Sequence, residues 1–428
     1  MVTGVILLMI VLLLLGFPMM IPLAAAMLFM MFTEMTFFGP EMGISWMISG
    51  VGTWVLAAVP MFIFAADIMT KGHTANRLLD LVAAFTGHLR GGLPITTAAS
   101  CAIFGAVSGS TQATVVAMGG PMRPRLLNKG YPDSFALGLI INASDIALLI
   151  PPSIGFIVYG VIAKTSIGDL FIAGILPGLL ILLMFSIYCW AYSKAKGIDV
   201  EPKTPWRDRL RAIKHAALPL GFPVIVVGGI YGGIFSAVEA SAIAVAYAFV
   251  LEVIIYRQVA LKDLWGLALS TGLITGVVFI LVAAGAAFSQ TLATAGIPEM
   301  LLGPVIDNIG SNQVAALALI AVAFFIGCMF VDPIVVILIL VPIFQPLVEA
   351  ANLDPVHVGV IVTLQAAIGS ATPPFGCDIF TAMAVFRRPY FDVIRGTPVF
   401  IVILMLATVI LILFPQISLF LPSLGAQQ

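Results

Sequence analysis

Residues 105–121 read GAVSGSTQATVVAMGGP, and the seven from Ser108 to Thr114 are all small or polar. Their surroundings are nearly hydrocarbon. Of 428 residues 61% are hydrophobic and 9% charged, with a mean hydropathy of +1.16, against roughly 25% charged in a soluble protein. Apolar runs at 46–69, 170–192 and 393–414 each reach the roughly 20 residues that cross about 30 Å of hydrocarbon. They are too long for the ten-residue alternating strands of a barrel. The chain therefore reads as an all-α polytopic membrane protein embedded in a lipid bilayer, with about ten crossings. In that setting the stretch 91–122 is too long for one crossing and too polar at its centre to face lipid. Two arms of about 14 residues, each about 20 Å long, make a re-entrant hairpin with its tip near the middle of the bilayer. At such a tip the freed backbone groups need protein, water or ligand as partners. Gly109 supplies the turn, and Ser108, Ser110 and Thr111 supply oxygen.

One long polar segment, 193–215, carries seven basic residues and divides the chain nearly in half. Positive-inside bias places it in the cytoplasm. Spans counted outward from it run 3–32, 46–69, 133–163, 170–193, 217–233, 237–256, 265–290, 355–385 and 391–414. The segments 91–122 and 313–346 must enter and leave on one side. On this layout 18 of the 19 Lys and Arg residues lie inside and only Lys164 lies outside. The outer segments carry Glu34, Glu41, Glu299, Asp307, Glu349 and Asp354. The four histidines, His73, His88, His215 and His357, fall at span ends and read as interfacial. The pairs at 387–388 and 206–209 read as topology and headgroup anchors.

The only two Pro-Pro dipeptides, at 151–152 in LLIPPSIGF and 373–374 in SATPPFGCD, stand 222 residues apart, each inside an apolar stretch. The order amphipathic connector, re-entrant hairpin, proline-broken span, final span occurs in both halves. Basic connectors in the first half correspond to basic-free connectors in the second, so the halves read as two inverted repeats, 1–192 and 216–428, joined by the linker 193–215. Inverted repeats with interrupted helices at matching places are the pattern of secondary transporters.

Each proline of a break lacks an N–H and clashes with the preceding turn, which frees carbonyls near Ala147 and Leu148. Carbonyl and hydroxyl oxygens suit a hard cation, and in a transporter of this design that cation is Na+. Asp145 is the nearest carboxylate if a proton is carried instead. The second half repeats the pattern with GCMFVDPIV (327–335) at its hairpin tip and GSATPPFGCD (369–378) at its break. Asp332, an ionisable group at membrane depth, is the sharpest functional candidate, although Asp332-Pro333 also reads as a helix N-cap. Asn142 reads as a helix-packing residue.

The motifs SGSTQAT, IPPS, GCMFVDP and ATPPFG, in this order over residues 1–425, resemble the large permease subunit of tripartite ATP-independent periplasmic (TRAP) transporters. The resemblance implies an elevator-type machine with a mobile transport domain carrying both hairpins against a static scaffold. It also implies Na+ coupling, a small four-helix membrane subunit, a soluble periplasmic solute-binding protein and residence in the bacterial inner membrane. By motif position Ser108, Gly109 and Ser110 with Pro151 to Ser153, joined by Asp145, would hold one Na+. Gly327 and Asp332 with Thr372 and Gly376 would hold another. The solute, an organic acid of the C4-dicarboxylate or sialic acid class with a leaning to the latter, would contact Ser110, Thr111, Asp332, Thr372 and Pro374 between the two tips. No Lys or Arg falls at mid-membrane, so a solute carboxylate would rely on hydroxyls, helix N-termini and Na+.

Other classes fit less well. A channel with re-entrant loops is usually a symmetric oligomer around one pore. An intramembrane protease needs a nucleophile with a base or two close aspartates, and no His lies at membrane depth. No phosphate-binding G-x-x-x-x-G-K-[ST] loop occurs, nor a basic patch with interleaved aromatics for nucleic acid. The four scattered cysteines form no pair or metal spacing.

Overall fold

The computed structural model describes residues 2–33, 35 and 37–425; Glu34, counted above among the outer acidic residues, and 426–428 lie outside the described residues. Those residues form helices and no strand. The N-terminal part comprises α1 (Val2–Leu14), α2 (Met20–Thr33), α3 (Pro40–Val51), α4 (Ala58–Lys71, entered through a 3-10 turn at Trp54–Ala57) and α5 (Thr74–Thr86). A helical hairpin follows, α6 (Gly92–Ser108) and α7 (Thr111–Asn128). Then come α8 (Asp133–Ser144), a 3-10 turn at Asp145–Leu148, α9 (Ile154–Ile162) and the 29-residue α10 (Ile167–Ala195).

The second half opens with α11 (Trp206–Tyr231), α12 (Ala237–Phe249, continued by a π turn at Val250–Ile255) and the 34-residue α13 (Leu261–Thr294). It continues through α14 (Ile297–Ile309), a second hairpin of α15 (Gln313–Phe330) and α16 (Pro333–Ala350), α17 (Pro355–Ser370), α18 (Cys377–Phe386), α19 (Tyr390–Ile394), α20 (Thr397–Leu413) and α21 (Gln416–Gly425). Seven helices among the described residues are long and apolar enough to cross a membrane, or eight if the bent pair α20–α21 is one span.

Hairpin, helix, break and helix thus occur twice. The starts of α7 and α16, and of α8 and α17, are each 222 residues apart (333 − 111 and 355 − 133), the spacing of the two Pro-Pro pairs. Single prolines such as Pro177 in α10 or Pro342 in α16 leave their helices continuous. Two in succession remove two donors and push the preceding residue away from helical geometry, and there the chain opens. Both Pro-Pro bonds are cis.

Several boundaries differ from expectation. The first apolar run is not one span. Gly16, with φ +81°, lies between α1 and α2, and a side chain at Gly4 would meet the Phe29 ring at 3.5 Å, so the two short helices fold back on each other. Met27, Met30 and Met31 of α2 pack against Ala287 and Phe288 of α13; burial against protein replaces burial in lipid. The run 46–69 is interrupted at Gly52–Thr53. Both hairpins are longer than 91–122 and 313–346, reaching Asn128 and Ala350. The linker shrinks to 196–205, since α10 and α11 absorb its ends.

Two presumed interfacial groups are instead packed: His357 is 3% exposed, and Arg209 is buried against His88 (3.2 Å) and the Phe85 ring. Arg388 stays exposed and pairs with Asp133 (3.1 Å). Arg123 binds that same Asp133 through two nitrogens, at 2.7 and 2.9 Å, tying the base of the first hairpin to α8.

The broken helices sit at the centre, with α8, α9 and α17 buried along almost their whole length. An aromatic stack, with Phe135 4.3 Å from Tyr192 and Phe185 edge-on to Phe400 at 5.3 Å, joins α8, α10 and α20. Beside it α20 meets α8 backbone to backbone: a side chain at Gly396 would collide with the Ser134 carbonyl. Gly396→Ala should therefore cost about 2–3 kcal/mol by overpacking, read as a lowered thermal midpoint in detergent. Gly276→Ala, where nothing stands within 4 Å, should not.

Candidate functional site

The first hairpin turns at Gly109, whose φ of +60° is the left-handed region glycine enters freely. Ser110 follows as the N-cap of α7, its Oγ accepting from the Ala113 N–H at 3.4 Å. The Ser108 hydroxyl lies 3.0 Å from that of Thr114, which donates to the Ser110 carbonyl at 2.8 Å. These hydroxyls shape the tip before they ligate anything. Behind the tip, a side chain at Gly109 would strike the Pro152 carbonyl, and one at Gly105 would meet Ala147 at 2.7 Å. The tip is pressed onto the first break.

In that break the helical ladder ends at the Ile146 carbonyl, which takes the N–H groups of Leu149 and Ile150 at 3.0 and 3.2 Å. Ser153 then caps α9, accepting from Phe156 N–H at 3.4 Å. The second hairpin turns at Val331–Asp332, and Asp332 is indeed an N-cap: its Oδ1 accepts from the Ile334 N–H at 2.9 Å. Phe375 of the second break donates its N–H to the Met329 carbonyl at 3.1 Å, so this tip too is held by its own break.

The two tips face each other across a cavity of about 90 Å³, into which Ser110, Thr111 and Asp332 all project. Three helices begin on its wall, α7 at Thr111, α9 at Ile154 and α16 at Pro333. Helix N-termini carry partial positive charge and free N–H groups, so this wall favours an anion although no lining residue is basic. Asp332 is its single formal charge.

Gly109 also lines this cavity; the other expected residues lie around it. Ser108, Gly109, Pro151 and Ser153 gather at the contact between first tip and first break. Gly327 packs inside the second hairpin, where a side chain would meet Val336 at 2.8 Å. Thr372 spends its hydroxyl on the Ile368 carbonyl (2.6 Å), and the Pro374 carbonyl accepts from Tyr390 Oη (3.0 Å). Gly376 lies against the Thr372 carbonyl, 2.8 Å from where its side chain would begin. Neither Thr372 nor Pro374 reaches the cavity, so the structure does not place them beside a solute there. Asp145 lies deeper, fully buried, with both carboxyl oxygens lacking a hydrogen-bond partner.

One central contact escaped the sequence reading. The Thr111 hydroxyl donates to Asp378 Oδ1 at 2.8 Å, joining residues 267 positions apart and tying the first tip to the second break. The available signal was a lone carboxylate two residues into the helix after a Pro-Pro break.

Comparison with known proteins finds relatives along nearly the whole chain. Residues 6–417 match the family described as "Tripartite ATP-independent periplasmic transporter, DctM component". The ectoine TRAP transporter large permease protein TeaC of Halomonas elongata is 60% identical over 421 residues, covering 97% of this chain and 98% of its own length. The ectoine/5-hydroxyectoine large permease UehC of Ruegeria pomeroyi is 59% identical, covering 97% of each chain. The C4-dicarboxylate large permease DctM of Pseudomonas aeruginosa is 35% identical, over 86% of each. These relatives are permeases rather than enzymes, and such a permease works beside a small membrane subunit and a periplasmic binding protein. Opposed hairpin tips, proline-broken helices and full-length similarity lead to one assignment: the chain belongs to the DctM family of large permease subunits of TRAP transporters, proteins of the bacterial inner membrane.

Proposed function

We propose that the chain is the translocating subunit of a Na+-coupled uptake system for a compact zwitterion of the ectoine class, handed over by a periplasmic binding protein. The expectation of a sialic acid or C4-dicarboxylate solute gives way here, because the two relatives near 60% identity are named for ectoine. The cavity supports the same choice, and it carries the proposal. A dicarboxylate would bring two negative charges to a wall whose only formal charge is Asp332. Ectoine is a ring bearing one carboxylate and one delocalised amidinium cation. Its carboxylate finds the N-termini of α7, α9 and α16, and its amidinium finds the Asp332 carboxylate by a charge-assisted hydrogen bond.

At about 90 Å³ the cavity is well below the roughly 300 Å³ at which small-molecule pockets begin. The tips must part to admit the solute, turning at Gly109 and at Val331–Asp332. An elevator movement of both hairpins against the remaining helices, braced by a four-helix small subunit, would then carry the closed cavity across. The donor set suits Na+: buried oxygens dominate, and Ser108, Ser110, Ser153 and the Pro152 carbonyl stand together at the first tip, with Asp332 and the Thr372 region at the second. There Na+ would supply the positive charge the protein itself does not.

Proteoliposomes holding this chain with its small subunit should accumulate labelled ectoine only with the binding protein and an inward Na+ gradient. A hundredfold excess of 5-hydroxyectoine should compete, and succinate or sialic acid should not. Uptake unaltered by replacing Na+ with choline would remove the coupling, and competition by succinate alone would remove the solute assignment.

A further inference from the structure

Lys164 runs against two preferences at once. Of the 19 Lys and Arg residues it alone falls outside on the sequence layout, against the bias that gathers positive charge in the cytoplasm. It also follows α9 in the left-handed region, at φ +52°, where the helix closes through the Thr165 N–H to the Gly160 carbonyl at 2.9 Å. That closure takes glycine by preference, because a Cβ there crowds the following carbonyl. Arg257 and Arg387 adopt the same conformation, but both lie on the cytoplasmic side, where their charge serves topology. Neither topology nor backbone preference accounts for Lys164.

The residue lines a cavity of about 560 Å³, within the size range of small-molecule pockets. Its walls are the 3-10 turn at Trp54–Ala57, the end of α9 and the starts of α10 and α12. Trp54 stands on the rim, 75% exposed, as aromatic residues do at a membrane interface. Among the described residues Lys164 is the single formal charge on this wall. The N-termini of α10 and α12 add N–H groups, but Asp169 and Glu239 in their first turns offset that partial charge. The attraction for an anion therefore resides in the Lys164 ammonium group.

Inward, this cavity shares Thr53 and Val161 with a second one of about 210 Å³, whose wall includes Ser49, Ser289 and Gln290 and no formal charge among the described residues. Leu338 of α16 lines that middle cavity, and its neighbour Ile337 lines the cavity between the tips. The second hairpin is thus the partition between them. Helix α9 passes all three, with Ile154 on the tip cavity, Ile162 on the middle one and Lys164 beyond its outer end. Its nine residues make about 14 Å of helix. From outside to centre the walls read positive, neutral and negative.

We propose that Lys164 and its cavity form an outer capture site for the solute carboxylate, where the molecule released by the binding protein pauses before the second hairpin moves and admits it to the tips. This rests on the proposed function above, in which the solute carries a carboxylate. At about 14 Å of helix between them, Lys164 and the tip cavity of Asp332 cannot hold one compact zwitterion together, so the contacts are made in succession. The ammonium group takes the carboxylate first, and the amidinium is left free for Asp332.

The test reads occupancy without transport. This chain, in complex with its small subunit in nanodiscs, carries Thr53→Cys and Cys377→Ser; the other three cysteines are buried, whereas Thr53 is exposed where the outer and middle cavities meet. Ectoine at saturation should slow alkylation of this cysteine by a membrane-impermeant maleimide about tenfold. Lys164→Gln should abolish the protection and Lys164→Arg should keep it. In proteoliposomes Lys164→Gln should raise the concentration of loaded binding protein that gives half-maximal uptake about tenfold, with the maximal rate unchanged, and added salt should shrink the difference. Lys164→Gly, which suits the left-handed backbone, should melt no lower than wild type and show the same capture defect.

Protection that survives Lys164→Gln overturns the site. So does protection absent from wild type while Na+-driven ectoine uptake is intact, which leaves the proposed function standing. Weaker docking of the solute-free binding protein to Lys164→Gln, by the same factor as for the loaded protein, also overturns the site and assigns the ammonium to a carboxylate of that partner. Protection by succinate and not by ectoine, abolished in Lys164→Gln, supports the capture site and overturns the proposed solute.

Discussion

Asp332→Asn is expected to reduce concentrative uptake about 100-fold while leaving the permease folded. The reason lies in the two tasks of this side chain. Its Oδ1 accepts the Ile334 N–H at 2.9 Å and so starts α16, and the residue also faces the cavity between the tips. Asn caps a helix about as well as Asp, so the substitution keeps the first task and removes the charge needed for the second. Losing one charge-assisted hydrogen bond is worth about 1.5–3 kcal/mol, or roughly 10- to 100-fold in affinity. A solute with no second ionic partner at that end stands at the upper limit.

Asp332→Ala adds the loss of the cap, about 1 kcal/mol, and should lower the thermal midpoint as well. Comparing the two variants separates charge from cap: equal midpoints for Asn and wild type, with uptake lost in both variants, is the expected pattern. Uptake by Asp332→Asn within a factor of three of wild type would show that the carboxylate has no part in solute or ion handling, and the proposed pairing with a cationic solute would fail with it.

What was legible beforehand was what local composition enforces. Four polar side chains within five residues cannot rest in lipid, so the tip at Ser108–Gln112 was readable, and two successive prolines cannot continue a helix, so both breaks were readable. The N-terminal run was not. Residues 2–33 are apolar whether they span lipid or fold back onto α13, and hydrophobicity is satisfied equally by either; only Gly16 and Pro18 hinted at the turn. His357 at the start of α17 looked interfacial by position, but tertiary packing buries it.

The Thr111–Asp378 bond joins elements 267 residues apart, and no local spacing encodes it. The solute was illegible for a related reason. Hydroxyls, helix N-termini and one carboxylate are common to many sites, and on the proposed reading selectivity would reside in how Asp332 and three helix ends are arranged around one small space.

Gly109→Ala should be the most damaging single-methyl change in the first hairpin, lowering stability by about 2–4 kcal/mol and uptake by more than tenfold. Two independent costs add. A non-glycine residue held at φ +60° carries about 1–2 kcal/mol of backbone strain. The new methyl group also points at the Pro152 carbonyl oxygen, with Ser153 Cα 3.6 Å away, so the tip must lift off the break or the break must deform. Both responses disturb Ser108, Ser110 and Ser153, which the present packing gathers, and both shift the start of α7 where it meets the cavity.

Gly120→Ala in the same hairpin is the control. It lies mid-helix with nothing beyond its chain neighbours within 4 Å, and the helix-propensity gain of Ala offsets the crowding a side chain meets before Pro121, so the change should stay within about 1 kcal/mol of neutral. Thermal midpoints and Na+-driven uptake of the pair, reconstituted side by side, carry the comparison. If Gly109→Ala melts and transports like Gly120→Ala, the tip does not bear on the break, and the contact that here gathers serine hydroxyls with the Pro152 carbonyl cannot be the one that holds an ion.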